Sequence, residues 1–370
     1  MTYQFAIDDR IEAAARSGAI FALNLSGGKD STMAAHAANA ILDRLGHDRS
    51  RRLAIHADLG RAEWKSTPST IEAQARQIGL PLVVTRRTAG DMVAQWEQRY
   101  EDGWALYQQL KLGRLRGPWS SSAQRFCTSG QKRETLHKYL STTYPGATIV
   151  SVLGIRHEES AKRARTPISK VDTKLHRKRA GTNGILWHPA VHITTDQVFA
   201  YHAQHALLLH EAYRRYNASR LSCAYCVIAS LRDLKIAASV PANQDLFHLL
   251  VDMEITTGFS FRQGGWLADV APNLLSRDQE LRLAAAKTYA AERREIEAHI
   301  SGNFLETSSG LPWPLRMPSH DDAAAIAEAR RLNSCWTGRG LQFLTTAAVN
   351  DEFARVISAR RVGTAVSIAH

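Results

Sequence analysis

The sequence predicts an α/β protein, a doubly wound parallel sheet followed by a helical C-terminal region. Three observations carry that expectation. Short apolar runs at 19–25, 52–60, 81–87 and 147–156 alternate with segments of helical spacing, the pattern of strands joined by crossover helices. Three of these runs deliver Ser26-Gly27-Gly28, Asp58 with Gly60, and Gly154 at their carboxyl ends, where a chain must turn. Beyond about residue 235 strand patterns become scarce and helical periodicity takes over.

Taken in order, residues 7–16 read as a short amphipathic helix with Ile11 and the alanines on one side. AIFALNL (19–25) is uniformly apolar, as befits a strand buried on both faces. Helical spacing returns from Asp30 to Leu45, with alanines that permit close packing. RLAIHADLG (52–60) is the second strand, residues 67–78 a helix, PLVVTRR (81–87) the third strand, and ATIVSVLGIR (147–156) a later one. Together they bring Ser26, Asp58, Arg86 and Arg156 to one edge, where open parallel sheets bind ligands. HRKRAGTNG (176–184) reads as a mobile basic loop, and ITTDQVFAY as a helix capped by Thr195 or Asp196. The expected domains are 1–235 and 236–370.

At 370 residues the chain can hold two cores, and its 44% hydrophobic content excludes a disordered polypeptide. No apolar run approaches bilayer-spanning length. The opening MTYQFAIDDRIEAAARSG carries acids early and lacks a basic-then-apolar signal pattern. A cytoplasmic protein without membrane attachment is expected. The net charge of +12 favours a polyanionic partner or a charged nucleotide. The four cysteines are too few for a disulfide scaffold. In a reducing compartment, CAYC at Cys223 and Cys226 points to metal, cluster or redox chemistry.

The decisive stretch is LNLSGGKDSTMAA (23–35). Gly27 and Gly28 let the backbone turn sharply and present N–H groups at a helix N-terminus to an oxyanion. Ser26 and Ser31 add hydroxyls and Lys29 a positive charge. The spacing is not that of the Walker loop. The bland alternative is a serine-capped glycine turn.

SGGKDS after a first strand resembles the PP-loop of the adenine nucleotide α-hydrolase-like superfamily, and the rest of residues 15–235 resembles its phosphoadenylyl-sulfate (PAPS) reductase-like branch. That branch includes the ATPases of DNA phosphorothioation systems. The matching pieces are HADLG (56–60), RFCTSGQKRE (125–134), GIRHEESAKRAR (154–165), HPAVHITTDQVFAY (188–201) and RLSCAYCVIAS (220–230). The resemblance implies that Ser26, Gly27, Gly28, Lys29, Asp30 and Ser31 grip the outer phosphates of ATP. Lys29 and Asp30 are the catalytic candidates. Asp58, Gly154, Arg156 and Arg163 complete the nucleotide site, with Glu158 or Glu159 orienting the arginines or helping to hold Mg²⁺. For Arg156 and Arg163 the alternative is a solvated helix, for which Glu159 and Arg163 are well spaced. For Asp58 it is capping of the following turn.

Within that branch the details discriminate. Authentic PAPS reductases carry a degenerate loop and end in a Glu-Cys-Gly-Leu-His tail. This sequence has Lys29 and Asp30, closes on RVGTAVSIAH, and places Cys335 in NSCWTGRG. Both departures favour ATP activation. The implied function is cleavage of ATP between α and β phosphates to adenylate an acceptor, for sulfur transfer onto nucleic acid. Sulfur would come from a partner protein or a multi-protein complex. The alternatives are a sulfonucleotide reductase and a non-catalytic nucleotide- or nucleic-acid-binding accessory protein.

Cys127 stands where the family often places a cluster ligand. With Cys223 and Cys226 it suits a [4Fe–4S] cluster. Zinc, completed by His210 or another histidine, and a redox dithiol are the alternatives. Cys335 reads as a buried, inert thiol. The basic run from Lys162 to Arg179 fits either a nucleic-acid backbone or a loop over the nucleotide. Trp104, Tyr107 and Trp119 fit either base stacking or a core.

Overall fold

The computed structural model describes residues 3–175, 181–301, 305–306, 313–314 and 316–368. The elements run α1 (Asp9–Arg16), β1 (Ile20–Asn24), α2 (Lys29–Arg44), β2 (Arg52–Asp58), α3 (Thr67–Ile78), β3 (Leu82–Arg86) and α4 (Met92–Gln108). They continue with α5 (Glu134–Thr143), β4 (Thr148–Val152), β5 (Ser169–Val171), β6 (Asn183–Trp187), α6 (Thr195–Gln204), α7 (Glu211–Arg214), α8 (Leu231–Ser239) and α9 (Gln244–Thr257). α10 (Arg277–Ala298), the two-residue strands β7 (Leu305–Glu306) and β8 (Trp313–Pro314), α11 (His320–Thr337) and α12 (Thr346–Ile368) complete the chain.

Two compact units divide these elements, one formed by 1–93 with 122–243, the other by 94–121 with 244–370. The division differs from a single break at 235: α8 sits in the first unit, and the aromatic stretch before Cys127 in the second.

The first unit is built on a six-stranded sheet of order β3-β2-β1-β4-β6-β5. All neighbours are parallel except β5, which pairs antiparallel with β6. β1 explains the doubly wound form. Its Phe21 and Leu23 pack on one face with Ile11 of α1, Ala38 of α2 and Ile71 of α3. Ile20 and Ala22 point the other way, to Leu140 of α5. A strand so placed must be apolar at every position. β2 runs in register from Phe21↔Arg52 to Asn24↔Ile55 and then continues to Asp58, beyond the end of β1. That overhang lifts His56 and Asp58, two residues apart and so on one face, above the carboxyl edge.

Two expectations are corrected here. Residues 183–184 belong to β6, a strand between β4 and β5, and are not loop; residues 176–180 lie outside the described residues. α6 is capped by Thr194, one residue earlier than expected, with Gln197 closing a reciprocal capping box.

The second unit is helical. Arg330 of α11 is wholly buried and donates to the carbonyls of Gln108 (3.2 Å) and Gln342 (3.0 Å). Trp104 and Tyr107 of α4 are buried in this unit's core, and Trp119 Nε1 donates to Phe259 O at 2.8 Å. Trp104 and Tyr107 are thus core residues, not a base-stacking platform, while the half-buried Trp119 packs edge-on against Trp96 and Phe261. Glu254 of α9 gathers three backbone N–H groups, from Phe261, Leu267 and Ala268, at 2.6, 2.8 and 3.1 Å.

Candidate functional site

The turn from β1 into α2 is built as an anion cradle. Gly27 has φ +74°, a left-handed conformation that favours glycine. α2 opens on Gly28 with no side-chain cap, leaving its N-terminal donors for a ligand. The Ser31 hydroxyl donates to Gly28 O at 2.9 Å, accepts the Ser26 N–H at 3.2 Å, and lies 2.9 Å from the exposed Ser26 hydroxyl. Gly154, leaving β4, backs directly onto this turn. A Cβ there would fall 2.5 Å from the backbone carbon and oxygen of Asp30.

Lys29 is almost wholly buried. Its Nζ donates to Asp30 Oδ2 at 2.8 Å and lies 5.6 and 5.8 Å from the ring centres of Tyr213 and Phe199. Asp30 Oδ1 accepts from Arg156 Nε at 2.6 Å. The Arg156 guanidinium also reaches Glu158 Oε2 (2.8 Å), Ile193 O (3.2 Å) and Thr195 Oγ1 (3.2 Å), and is 3% exposed. It is directed at Asp30 from beneath the loop. The Glu158 carboxyl is held below the usual carboxylate range by the Thr195 hydroxyl and N–H and by Arg156. Glu159 accepts the Arg156 N–H at 2.8 Å and pairs with Arg163. No continuous helix forms across 157–165; two short 3₁₀ turns wrap the arginine instead.

Asp58 caps the next turn, Oδ1 accepting from Gly60 N–H at 2.7 Å, while Oδ2 accepts from the exposed Arg86 at 2.6 Å.

The cysteines come from two segments. Cys127 opens a π-helical stretch, Cys127–Arg133, that runs into α5. The turn holding Cys223 and Cys226 is fastened to the loop after β2, Ala224 N–H donating to Ala62 O at 2.9 Å. All three cysteines are half-buried residues. Protein packed around the Cys223 sulfur, together with the neighbouring Cys226 and Cys127, pushes its thiol up to about 12, against the pull of Lys132. The structure thus gathers three sulfur donors. Among the described residues they do not all lie within 4.8 Å of one another. Tetrahedral zinc with bonds of about 2.3 Å needs sulfurs closer than that, whereas a cluster spreads its thiolates over separate irons. His210 does not complete a zinc site: Nδ1 accepts the Ala212 N–H at 3.0 Å, and Nε2 meets the Ser66 and Thr67 hydroxyls at 3.2 and 3.3 Å. Cys335 sits in the second unit and is exposed, contrary to the expected burial.

The phosphoadenosine phosphosulfate reductase domain family matches residues 20–228, more than half of the chain and all six strands of the sheet. The chain belongs to this family. As a PAPS reductase-family member it is a nucleotide-utilising enzyme of the PP-loop superfamily. Among solved structures, PAPS reductase from Candida auris, a phosphate complex, aligns over 58% of this chain and 85% of its own, at 13% identity and TM-score 0.37. Candida glabrata FMN adenylyltransferase, with FMN and the ATP analogue AMPCPP, aligns over 60% and 68%, at 14% identity and TM-score 0.34. Neither likeness is close enough to refine the family assignment. No curated protein matches the chain. Among the described residues, no helix is long and apolar enough to cross a membrane.

Two residues beside this candidate site escaped sequence reasoning, His56 and Glu63. The signal was available in HADLGRAE (56–63), a histidine two residues before Asp58 and an acid just past the turn. Only the fold brings them to one point.

Proposed function

We propose that this PAPS reductase-family chain is an ATP pyrophosphatase that cleaves the α–β bond of ATP and adenylates an acceptor, preparing sulfur transfer onto nucleic acid. The observation that carries this reading is the complete Ser26–Ser31 turn at the head of an uncapped α2, with Lys29 held behind it by Asp30. The Ser26 hydroxyl and the N–H groups of the turn receive the outer phosphates. Lys29 neutralises charge on the pyrophosphate as it departs. Asp30 fixes Lys29, and Arg156 fixes Asp30, so Arg156 serves as a positioning residue. Arg163, paired with Glu159, steadies the segment around it.

Mg²⁺ would travel with the triphosphate and neutralise it; Asp58, Glu158 and Glu159 are the nearby carboxylates. Cys127, Cys223 and Cys226 would hold a [4Fe–4S] cluster, which would supply iron–sulfur chemistry for the transfer. The charge of +12 and the basic residues Lys162, Arg163, Arg165, Lys170 and Lys174 support a nucleic-acid acceptor; Arg177, Lys178 and Arg179 lie outside the described residues. A partner protein would bring the sulfur.

Incubation with α-labelled ATP and candidate nucleic acids tests the reading. AMP and pyrophosphate are expected. Sulfite release from a sulfonucleotide would make the chain a reductase, and binding without turnover an accessory protein.

A further inference from the structure

Beside the nucleotide turn, three side chains converge that the proposed reaction does not use as a set. The ligand-capable atoms of His56, Asp58 and Glu63 all lie within 4.8 Å of one another. His56 Nδ1 faces Leu25 O at 3.0 Å, so that nitrogen carries the ring proton and donates it. Nε2 is thereby left to point at Glu63 Oε2, 3.4 Å away. The His56 side chain is 6% exposed and that of Glu63 11%. Yet neither Nε2 nor Oε2 has a hydrogen-bond partner.

Two adjacent buried polar atoms without partners are unusual, each costing about 1–3 kcal/mol. A shared cation would satisfy both. The surroundings match that use. A metal-binding histidine typically donates its second ring N–H to a backbone carbonyl, and ligating carboxylates are themselves hydrogen-bonded. Leu25 O does the first for His56. Gly60 N–H and Arg86 do the second for Asp58. One imidazole and two carboxylates suit zinc, manganese or ferrous iron better than magnesium or calcium. Three protein ligands also leave coordination positions open, as at catalytic rather than structural sites.

We propose that His56 Nε2, Glu63 and Asp58 form a binding site for one divalent transition-metal ion, with a ligand set that includes none of the three cysteines. The inference stands independently of ATP cleavage, because it concerns metal binding alone.

The test uses the full chain stripped of metal and titrated anaerobically with Zn²⁺, and separately with Co²⁺ as a spectroscopic probe. In Cys127→Ser/Cys223→Ser/Cys226→Ser one equivalent of Zn²⁺ should remain bound. His56→Gln or Glu63→Gln in that background should weaken it by at least the roughly 10–100-fold that loss of an outer-shell partner causes. If the triple variant does not fold, Co²⁺ added to the unmodified chain decides the matter. Visible bands abolished by His56→Gln while any thiolate charge transfer persists support the site. Co²⁺ or Zn²⁺ held only through the cysteines, or no ion bound at all, would overturn it and leave His56 and Glu63 as a bare polar contact.

Discussion

Arg156 Nε donates to Asp30 Oδ1 at 2.6 Å, across a separation of 126 residues, and this bond ties the exit of β4 to the first turn of α2. Asp30 in turn holds Lys29, so one buried guanidinium is linked through Asp30 to the candidate nucleotide turn. Removing it leaves Ile193 O without that donor and Asp30 with Lys29 as its remaining ion-pair partner. Arg156→Ala should therefore lower stability by about 1–3 kcal/mol, read as a shift in urea midpoint at constant m-value. Arg156→Lys, which keeps the charge but not the fork, should recover only part of it.

Lys29 packs against Phe199 and Tyr213. Lys29→Met keeps that packing and removes the charge. Under the proposed reaction, pyrophosphate release should fall by about 10²–10³-fold in kcat, while the thermal midpoint stays within a few degrees of the parent. An unchanged rate would remove Lys29 from the chemistry.

Gly154 has no room for a side chain, since a Cβ would also sit 2.6 Å from Ser31 N. The obstructing atoms are backbone and cannot rotate aside. Gly154→Ala should cost about 1–3 kcal/mol and displace the nucleotide turn, raising the Kd for ATP. Gly340→Ala, with nothing within 4 Å, is the control expected to be silent.

His210 is wholly buried, and burial pushes its pKa down to about 4 from 6.5. Protonating Nδ1 would also turn it against the Ala212 N–H it now accepts. The unfolded chain takes up the proton near 6.5 and the folded chain only near 4. Stability from this residue is therefore complete above 6.5 and lost as pH falls towards 4, by on the order of 3 kcal/mol. Denaturant titrations at pH 7.5, 6 and 5 should show the decline, and His210→Asn should make it shallower, leaving the share of the other buried histidines.

Glu254 gives the opposite slope. Burial outweighs its three N–H donors and raises the carboxyl to about 7 from 4.5. The folded chain then holds a proton that the unfolded chain has already released, so its contribution is full below 4.5 and declines as pH rises through 7. Above that pH, Glu254→Gln should still destabilise by about 1–3 kcal/mol, because its amide turns a donor towards backbone donors. Urea melts at pH 8.5 would check this.

Much of the sheet was legible because its signals are local. AIFALNL is apolar at every position since β1 is covered on both faces, and the helix expected at 67–78 is α3, Thr67–Ile78. β5 and β6 were missed for equally physical reasons. β5 is a three-residue edge strand with two exposed positions, so it needs no apolar pattern, and β6 begins inside a glycine-containing polar stretch.

The sequence by itself determined the alternation of strands and helices, the glycine turn at residues 26–31 and the spacing of Cys223 and Cys226. These follow from periodicity and backbone freedom, which neighbouring residues settle among themselves. Tertiary structure alone decided that Arg156 turns inward to Asp30, that the cysteine turn docks on Ala62, and that His56 meets Glu63. Each of those contacts depends on strand register and on which polar groups packing shields from water. Such facts arise only when distant segments close on one another, and no local pattern encodes them.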